Sequence, residues 1–312
     1  MKKRSLILCV ILFAVSKAKA TPDSVKTGIY ITSIHDIDFQ KQEYTMNCWL
    51  WLKYKNPDFD FAQNLEIPQA KEVTQSFVTI DSSDGRYYVL MKLQCVMKDN
   101  WKIKNFPFDK QKLRFSIENS QYDKNDLIFV ADTVGKHYDP KFTISGWEID
   151  KFKVSTGISN YETSFGDSED AAPHEEYSTF KVRIETSRDA MDLFWKLFLG
   201  MYVAFFIAYA CCFIHIDSID SRFGLAVGAL FAVVGNKYVV ESSLPESVTF
   251  TLVDILHDLT LFFILIIIVS NTYALSLLKK EKDIKMFDRT IPQILVVVYL
   301  LLNVYFISKA IQ

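Results

Sequence analysis

The 312-residue chain is poor in the features that mark several protein classes. Ten glycines and eight prolines exclude a collagen-like repeat and a Pro/Gly-rich disordered chain. Five cysteines are too few for a disulfide scaffold. Neither sign of charge dominates. The 35 Lys and Arg against 37 Asp and Glu give a net charge of −2, without the basic footprint of a nucleic-acid binder. No G-x-S-x-G, P-loop or H-E-x-x-H pattern occurs, so nothing argues for an enzyme or a bound cofactor.

What is present is unevenly spread. Charged residues number 53 in positions 1–190 but only 9 in 193–278. Such a chain has two solvents, water for its first part and lipid for its second. At the amino end, Lys2, Lys3 and Arg4 precede an apolar run from Leu6 to Val15, closed by Ala18-Lys19-Ala20. A charged region, a short apolar region and an A-x-A site read as a secretory signal peptide over 1–20, which places the polar segment after it outside the cytoplasm.

Residues 21–190 predict an all-β sandwich. Short runs rich in Ile, Val, Tyr, Phe and Trp recur between turn signals. In Tyr44 to Leu52, one face is Tyr44, Met46, Cys48, Leu50 and Leu52, a period of two that marks a strand with a core side. Asp84-Gly85 separates two such runs as a hairpin turn does. Cys48 and Cys95 lie in separate strand-like runs, as a disulfide or as two buried thiols. Phe106-Pro107-Phe108-Asp109 predicts a tight turn, cis or trans, with two Phe rings in an apolar seat.

Residues 191–312 predict a four-helix transmembrane bundle. Leu193–Ile216, Phe223–Val240, Phe250–Leu278 and Ile291–Ser308 each approach the ~20 residues that cross a bilayer. Lys279, Lys280, Lys282, Lys285 and Arg289 crowd the connection between spans three and four. The positive-inside rule puts that connection in the cytoplasm, in agreement with the signal peptide. The protein is therefore expected in the cell membrane, multi-pass, with its amino-terminal domain extracytoplasmic.

The second span carries the most information. At ~100° per residue, Asp220, Gly224, Gly228, Phe231, Gly235 and Tyr238 fall within about 80° of one another, and Glu241 comes next at the outer end. One reading is a pore-lining helix, with an acidic ring at Asp220 that attracts cations and an aromatic ring at Phe231 that gates by dewetting. The other is close packing between helices, since Gly at four-residue spacing lets backbones approach. Two further clusters stand out. Cys211, Cys212 and His215 offer three ligands where a metal needs about four, so no metal is assigned. Asp254, His257 and Asp258 lie one turn apart near the outer end of span three.

Read in order, these motifs resemble the pentameric ligand-gated ion channels, the Cys-loop receptor superfamily, and in particular their prokaryotic branch. Gly28-Ile29-Tyr30 leads the first strand, and Asp84-Gly85 falls at the hairpin ahead of the signature loop. The loop's aromatic-Pro-Phe-Asp-x-Gln motif is complete as Phe106 to Gln111. Gly146-Trp147-Glu148-Ile149, Val182-Arg183-Ile184 and Leu244-Pro245 come after it in the family's order.

The resemblance implies a homopentamer in a lipid bilayer, with the second helix lining a pore for permeant cations. The opening signal would be a small extracellular agonist or protons. It implies coupling through Asp38, Phe106, Pro107, Phe108, Asp109, Arg183, Leu244 and Pro245. It also implies an agonist cleft under the hairpin at about 158–177, with Tyr161, Phe165, His174 and the acids Asp167, Glu169 and Asp170, faced by Asn119 to Tyr122. Aromatic rings and carboxylates together suit an amine, Ca²⁺ or protons. The cysteines that bracket the signature loop in animal receptors would fall at Asp99 and Leu113. Gly200 replaces the common first-span Pro, Glu66 stands where a Trp is usual, and the stripe has no Ser/Thr rings. The competing class is a non-conducting membrane receptor or binding module whose glycines pack the helices tightly.

Overall fold

A computed structural model describes residues 21–141, 143–144, 146–166, 174–245, 249–281, 283–284 and 286–312. The expected signal peptide, the acids Asp167, Glu169 and Asp170, and the basic residues Lys282 and Lys285 lie outside these.

Among the described residues nine strands form two sheets, and in strands such as β2 and β5 the alternation read from the sequence decides which face is buried. β1 (Asp23–Asp38), β2 (Glu43–Tyr54), β4 (Ala70–Ser83), β5 (Arg86–Lys98) and β7 (Leu127–Ala131) make the first, in the order β4-β5-β2-β1-β7. β3 (Leu65–Glu66), β6 (Lys110–Asn119), β8 (Trp147–Tyr161) and β9 (Glu175–Arg188) make the second, in the order β3-β6-β9-β8. A single-turn helix, α1 (Phe61–Asn64), precedes β3. All pairings are antiparallel except β1 with β7. Tyr44, Met46, Cys48, Leu50 and Leu52 are all buried, and they meet Phe115, Ile117, Phe180, Val182 and Ile184 in the core.

Cys48 and Cys95 are both free thiols on that core face. Burial pushes Cys95 up to about 12 and Cys48 well above its ordinary value, so both stay protonated. Asp84 and Gly85 both take positive φ, as the two-residue β4–β5 turn requires. Gly28 is needed for a different reason. A Cβ there would fall 2.3 Å from the Trp51 ring, which lies across β1 and donates from Nε1 to Asp132 at 3.2 Å.

β9 ends at Arg188, and α2 (Ala190–Ala210) begins two residues later. α3 (Ile219–Glu241), α4 (Leu252–Leu278) and α5 (Ile291–Ile311) complete the chain. With their adjoining turns, these four helices are long and apolar enough to cross a membrane. A 3₁₀ turn, Cys211–Phe213, closes α2, and a π turn, Met286–Thr290, leads into α5. A capping box of Thr251 and Asp254 starts α4. Apolar faces of the helices are left outside the bundle, as at Leu199, Phe262, Leu265 and Leu301. Such faces suit hydrocarbon rather than water.

Candidate functional site

α3 has two faces. Its buried residues are Arg222, Ala226, Ala229, Val233 and Val240. At ~100° per residue they centre about 170° from the centre of the Asp220-to-Tyr238 stripe. The stripe therefore points away from the chain's own bundle. Phe231 is 68% exposed and Tyr238 73%. Among the described residues, a Cβ added at Gly224, Gly228 or Gly235 would meet nothing within 4 Å, so their packing does not call for these glycines. Gly200 on α2 differs, because a Cβ there would come 3.3 Å from the Asn236 amide on α3. That close approach lets Asn236 Oδ1 reach His257 Nε2 on α4 at 2.9 Å.

Charged side chains hold α3 at both ends. At the end nearer the β-domain, called its outer end, Lys237 Nζ sits 2.8 Å from Asp258, 3.4 Å from Asp254 and 3.6 Å from Glu241. Glu241 thus folds back along its own helix instead of standing alone at the end of the stripe. The acids of span three are partners of this lysine. At the end farther from the β-domain, called its inner end, Arg222 pairs with Asp288. The Cys211 and Cys212 thiols pack on Asn271, while His215 is exposed beside Asp217. Among the described residues, no group of three or more His, Cys, Asp or Glu side chains could hold a metal ion.

The signature loop sits between sheet and bundle, with a cis Phe106-Pro107 bond. Lys104 O accepts from the Leu252 N–H at 2.9 Å, which ties the loop to the start of α4. Phe108 meets Phe194 of α2 at 5.7 Å between ring centres. Asp109, only 4% exposed, meets Arg188 Nε at 3.3 Å. The Arg188 guanidinium lies 4.1 Å from the Trp147 ring, 4.5 Å from Phe39 and 5.1 Å from Phe106. Burial raises the Asp109 carboxyl above its ordinary range, with Arg188 pulling the other way.

Two expectations are corrected at this junction. Arg183 does not meet Asp109. It is exposed in mid-strand, opposite Arg114 and Lys153, because β9 runs on for five more residues before the membrane helix. The arginine that turns inward is Arg188. Asp38 meets Lys41 instead, accepting from its N–H at 2.9 Å, and this holds the carboxyl below its ordinary range. The residue of that turn that reaches the arginine is Phe39.

The turn from Asp36 to Lys41, with Ser243 of the α3–α4 connection, lines a cavity of about 600 Å³. Leu244 and Pro245 line another, of about 380 Å³, with Ile103, Glu241 and Asp254. Arg114 closes the signature loop on Asp99, donating from Nε at 3.0 Å and from Nη2 at 2.5 Å.

The cleft under the β8–β9 hairpin is about 250 Å³ and lined by Glu66, Glu118, Asn119, Ser120, Tyr161, Phe165 and Tyr177. Glu118 is 4% exposed and accepts from Tyr161 OH at 2.8 Å and from Thr179 Oγ1 at 3.2 Å. Burial and that bond hold the Tyr161 phenol well above its ordinary value, so it remains a donor. Asn119 Oδ1 accepts two backbone N–H groups, while its buried Nδ2 has no hydrogen-bond partner among the described residues.

Tyr122 and His174 are not in this cleft. Tyr122 packs on Phe59 at 4.8 Å and donates to Asp58 O, and His174 lies exposed 3.8 Å from Glu176. Glu118 and Tyr177 were missed by the sequence reading. The available signal for Glu118 was a carboxylate next to Asn119, at the end of a strand with an apolar alternation.

No family model matches the chain. It is 23% identical over 307 aligned residues to a proton-gated ion channel of Gloeobacter violaceus, with 91% of this chain and 82% of that protein covered. It is 26% identical over 162 residues to a neuronal acetylcholine receptor alpha-2 subunit of Gallus gallus, covering 45% of this chain and 30% of the subunit. A non-alpha-2 subunit of Carassius auratus is 25% identical over 198 residues, covering 56% and 40%. The chain thus spans less than half the length of either receptor subunit.

Proposed function

We propose that this chain, similar along most of its length to the pentameric ligand-gated ion channels, is one subunit of a cation channel. Five copies surround the α3 stripe, and an extracellular ligand or protons open the path. The observation that carries this reading is the stripe itself: it is turned away from its own bundle, with three glycines that no contact among the described residues explains. Around a shared axis, Asp220 gives an acidic inner ring that concentrates cations, and Phe231 gives the apolar constriction that dewets when closed.

The β-domain supplies a route to that constriction. β6 and β9 are paired along their length. At one end they carry Glu118 and Thr179 beside the cleft, and at the other Asp109 and Arg188 beside the membrane. A ligand that draws on Glu118 pulls on β6 directly and, through Thr179, on β9, the two strands that end at the junction. Two carboxylates and the rings of Tyr161, Phe165 and Tyr177 favour an organic amine. Asp109 favours protons as a second signal, since burial already biases its carboxyl toward the protonated form.

The test is recording from reconstituted protein in salt gradients, across pH and an amine panel, with thiol-reagent accessibility of Gly224→Cys, Gly228→Cys and Phe231→Cys. Currents with a cation-selective reversal potential, weakened in Asp220→Ala, and water-accessible thiols support the channel. No current, with all three thiols protected in every condition, supports the non-conducting receptor.

A further inference from the structure

Arg222 is a charge in an unfavourable place. It lies in the first turn of α3, where the helix dipole repels a cation, and only 1% of it is exposed. Its neighbours offset that cost. Nε donates to Ile214 O at 2.8 Å and Nη2 to Cys212 O at 2.8 Å. These carbonyls belong to the end of α2 and its 3₁₀ turn, where backbone acceptors have no helical partner. Nη1 donates to Asn271 Oδ1 on α4 at 3.3 Å, and Nη2 also reaches Asp288 Oδ1 in the π turn before α5 at 2.5 Å. Asn271 is itself fixed by its Nδ2 bond to Cys211 Sγ at 3.3 Å. One guanidinium thus ties the base of α3 to all three other helical segments.

We propose that Arg222 is the positioning residue of the inner mouth: by pinning the rotation of α3 about its own axis, it keeps Asp220 turned toward the ion path. Two residues of helix separate the side chains by about 200°. While the guanidinium is seated in the bundle, the carboxylate must point away from it. A free helix could rotate a fraction of a turn and bring Asp220 to its flank, leaving the ring without its acids. The fork geometry of Arg suits this role, because four bonds from one plane resist rotation better than a single ammonium contact. The inference rests on the channel reading and adds a rule for selectivity that the stripe alone does not contain.

The test uses the full chain, reconstituted, with Asp288→Asn and Asn271→Leu. Ser221→Cys, Gly224→Cys, Leu225→Cys and Gly228→Cys are each introduced into both variants and into the unchanged background, whose own described cysteines are buried. In the unchanged background, a water-soluble thiol reagent should modify positions 224 and 228 faster than 221 and 225. In Asp288→Asn that contrast should collapse, and the salt-gradient reversal potential should shift toward that of an unselective pore. Asn271→Leu keeps the ion pair and should give the same shift in smaller measure. It carries the test if Asp288→Asn does not assemble. Assembled variants with unchanged accessibility contrast and unchanged reversal potential overturn the proposal. An unchanged background that passes no ions and protects positions 224 and 228 overturns the channel reading instead.

Discussion

The two ends of α3 are held by opposite means. At the inner end Arg222 is 1% exposed and meets neutral carbonyls, an amide and one carboxylate. At the outer end the Lys237 side chain is 22% exposed and meets three carboxylates, two of them nearly half exposed. Buried, directional bonds in a low dielectric are stiff and unscreened, whereas half-wet ion pairs are weak and yield to salt. The helix is therefore fixed at the Asp220 end of the stripe and adjustable at the end whose following connection, at Ser243, shares a cavity with the turn from Asp36 to Lys41.

The largest effect comes from breaking the stiff end. Asp288→Ala leaves the Arg222 guanidinium buried without its counter-charge, at a cost of about 3 kcal/mol. Thermal unfolding in detergent should show this loss equally at low and high salt. A loss that fades with salt would mean that the inner end is as wet as the outer one.

Next is the junction, where an arginine and an aspartate are again buried together and the carboxyl is held above its ordinary range. Burial raises Asp109 above its ordinary 3.8, so the folded state binds that proton more tightly than the unfolded chain does. The stabilisation is fully present below 3.8 and is lost as pH rises through the raised folded value. Asp109→Asn removes that dependence. Unfolding curves for the two proteins should converge in acid and separate above it, with the wild type losing more stability as pH rises. Parallel curves would remove the argument that burial outweighs Arg188.

At the adjustable end, Lys237→Gln should cost about 1 kcal/mol at low ionic strength, and less as salt screens the three pairs. The same measurement on Asp288→Ala is the control. If both variants respond to salt alike, the contrast between the two ends is lost.

The fold was legible where a short period governs burial. Tyr44 to Leu52 bury alternate residues because a strand has no other way to satisfy a core on one side. The α3 stripe was legible for the same reason at a period of 3.6. What escaped depends on distant partners. A span read from Phe223 leaves Arg222 outside, but α3 starts at Ile219, which puts the arginine in its first turn. Arg183 and Arg188 are five residues apart and so on opposite faces of β9: Arg188 follows the buried Val182, Ile184 and Thr186, and the strand runs far enough to carry it to Asp109. Glu118 is a bland strand-end carboxylate until Tyr161 and Thr179, far along the chain, are brought to it.

The smallest effect belongs to the middle of the bundle, which is held by neither kind of charge. Tyr299 OH lies 2.9 Å from Thr260 Oγ1, and Asn303 bridges the Tyr299 carbonyl to Tyr202 OH. Tyr299→Phe removes only the hydroxyl. The ring keeps its stack on Phe205 at 3.7 Å, and Thr260 keeps its bond to Leu256 O at 2.7 Å. The loss should be about 0.5 kcal/mol, at the low end for a neutral hydrogen bond because one partner stays satisfied. It should respond to neither salt nor pH, since no charge is involved. A salt- or pH-dependent loss at this site would mean that water reaches the seam between α2, α4 and α5, and the stiffness assigned to the inner end would then need another source than burial.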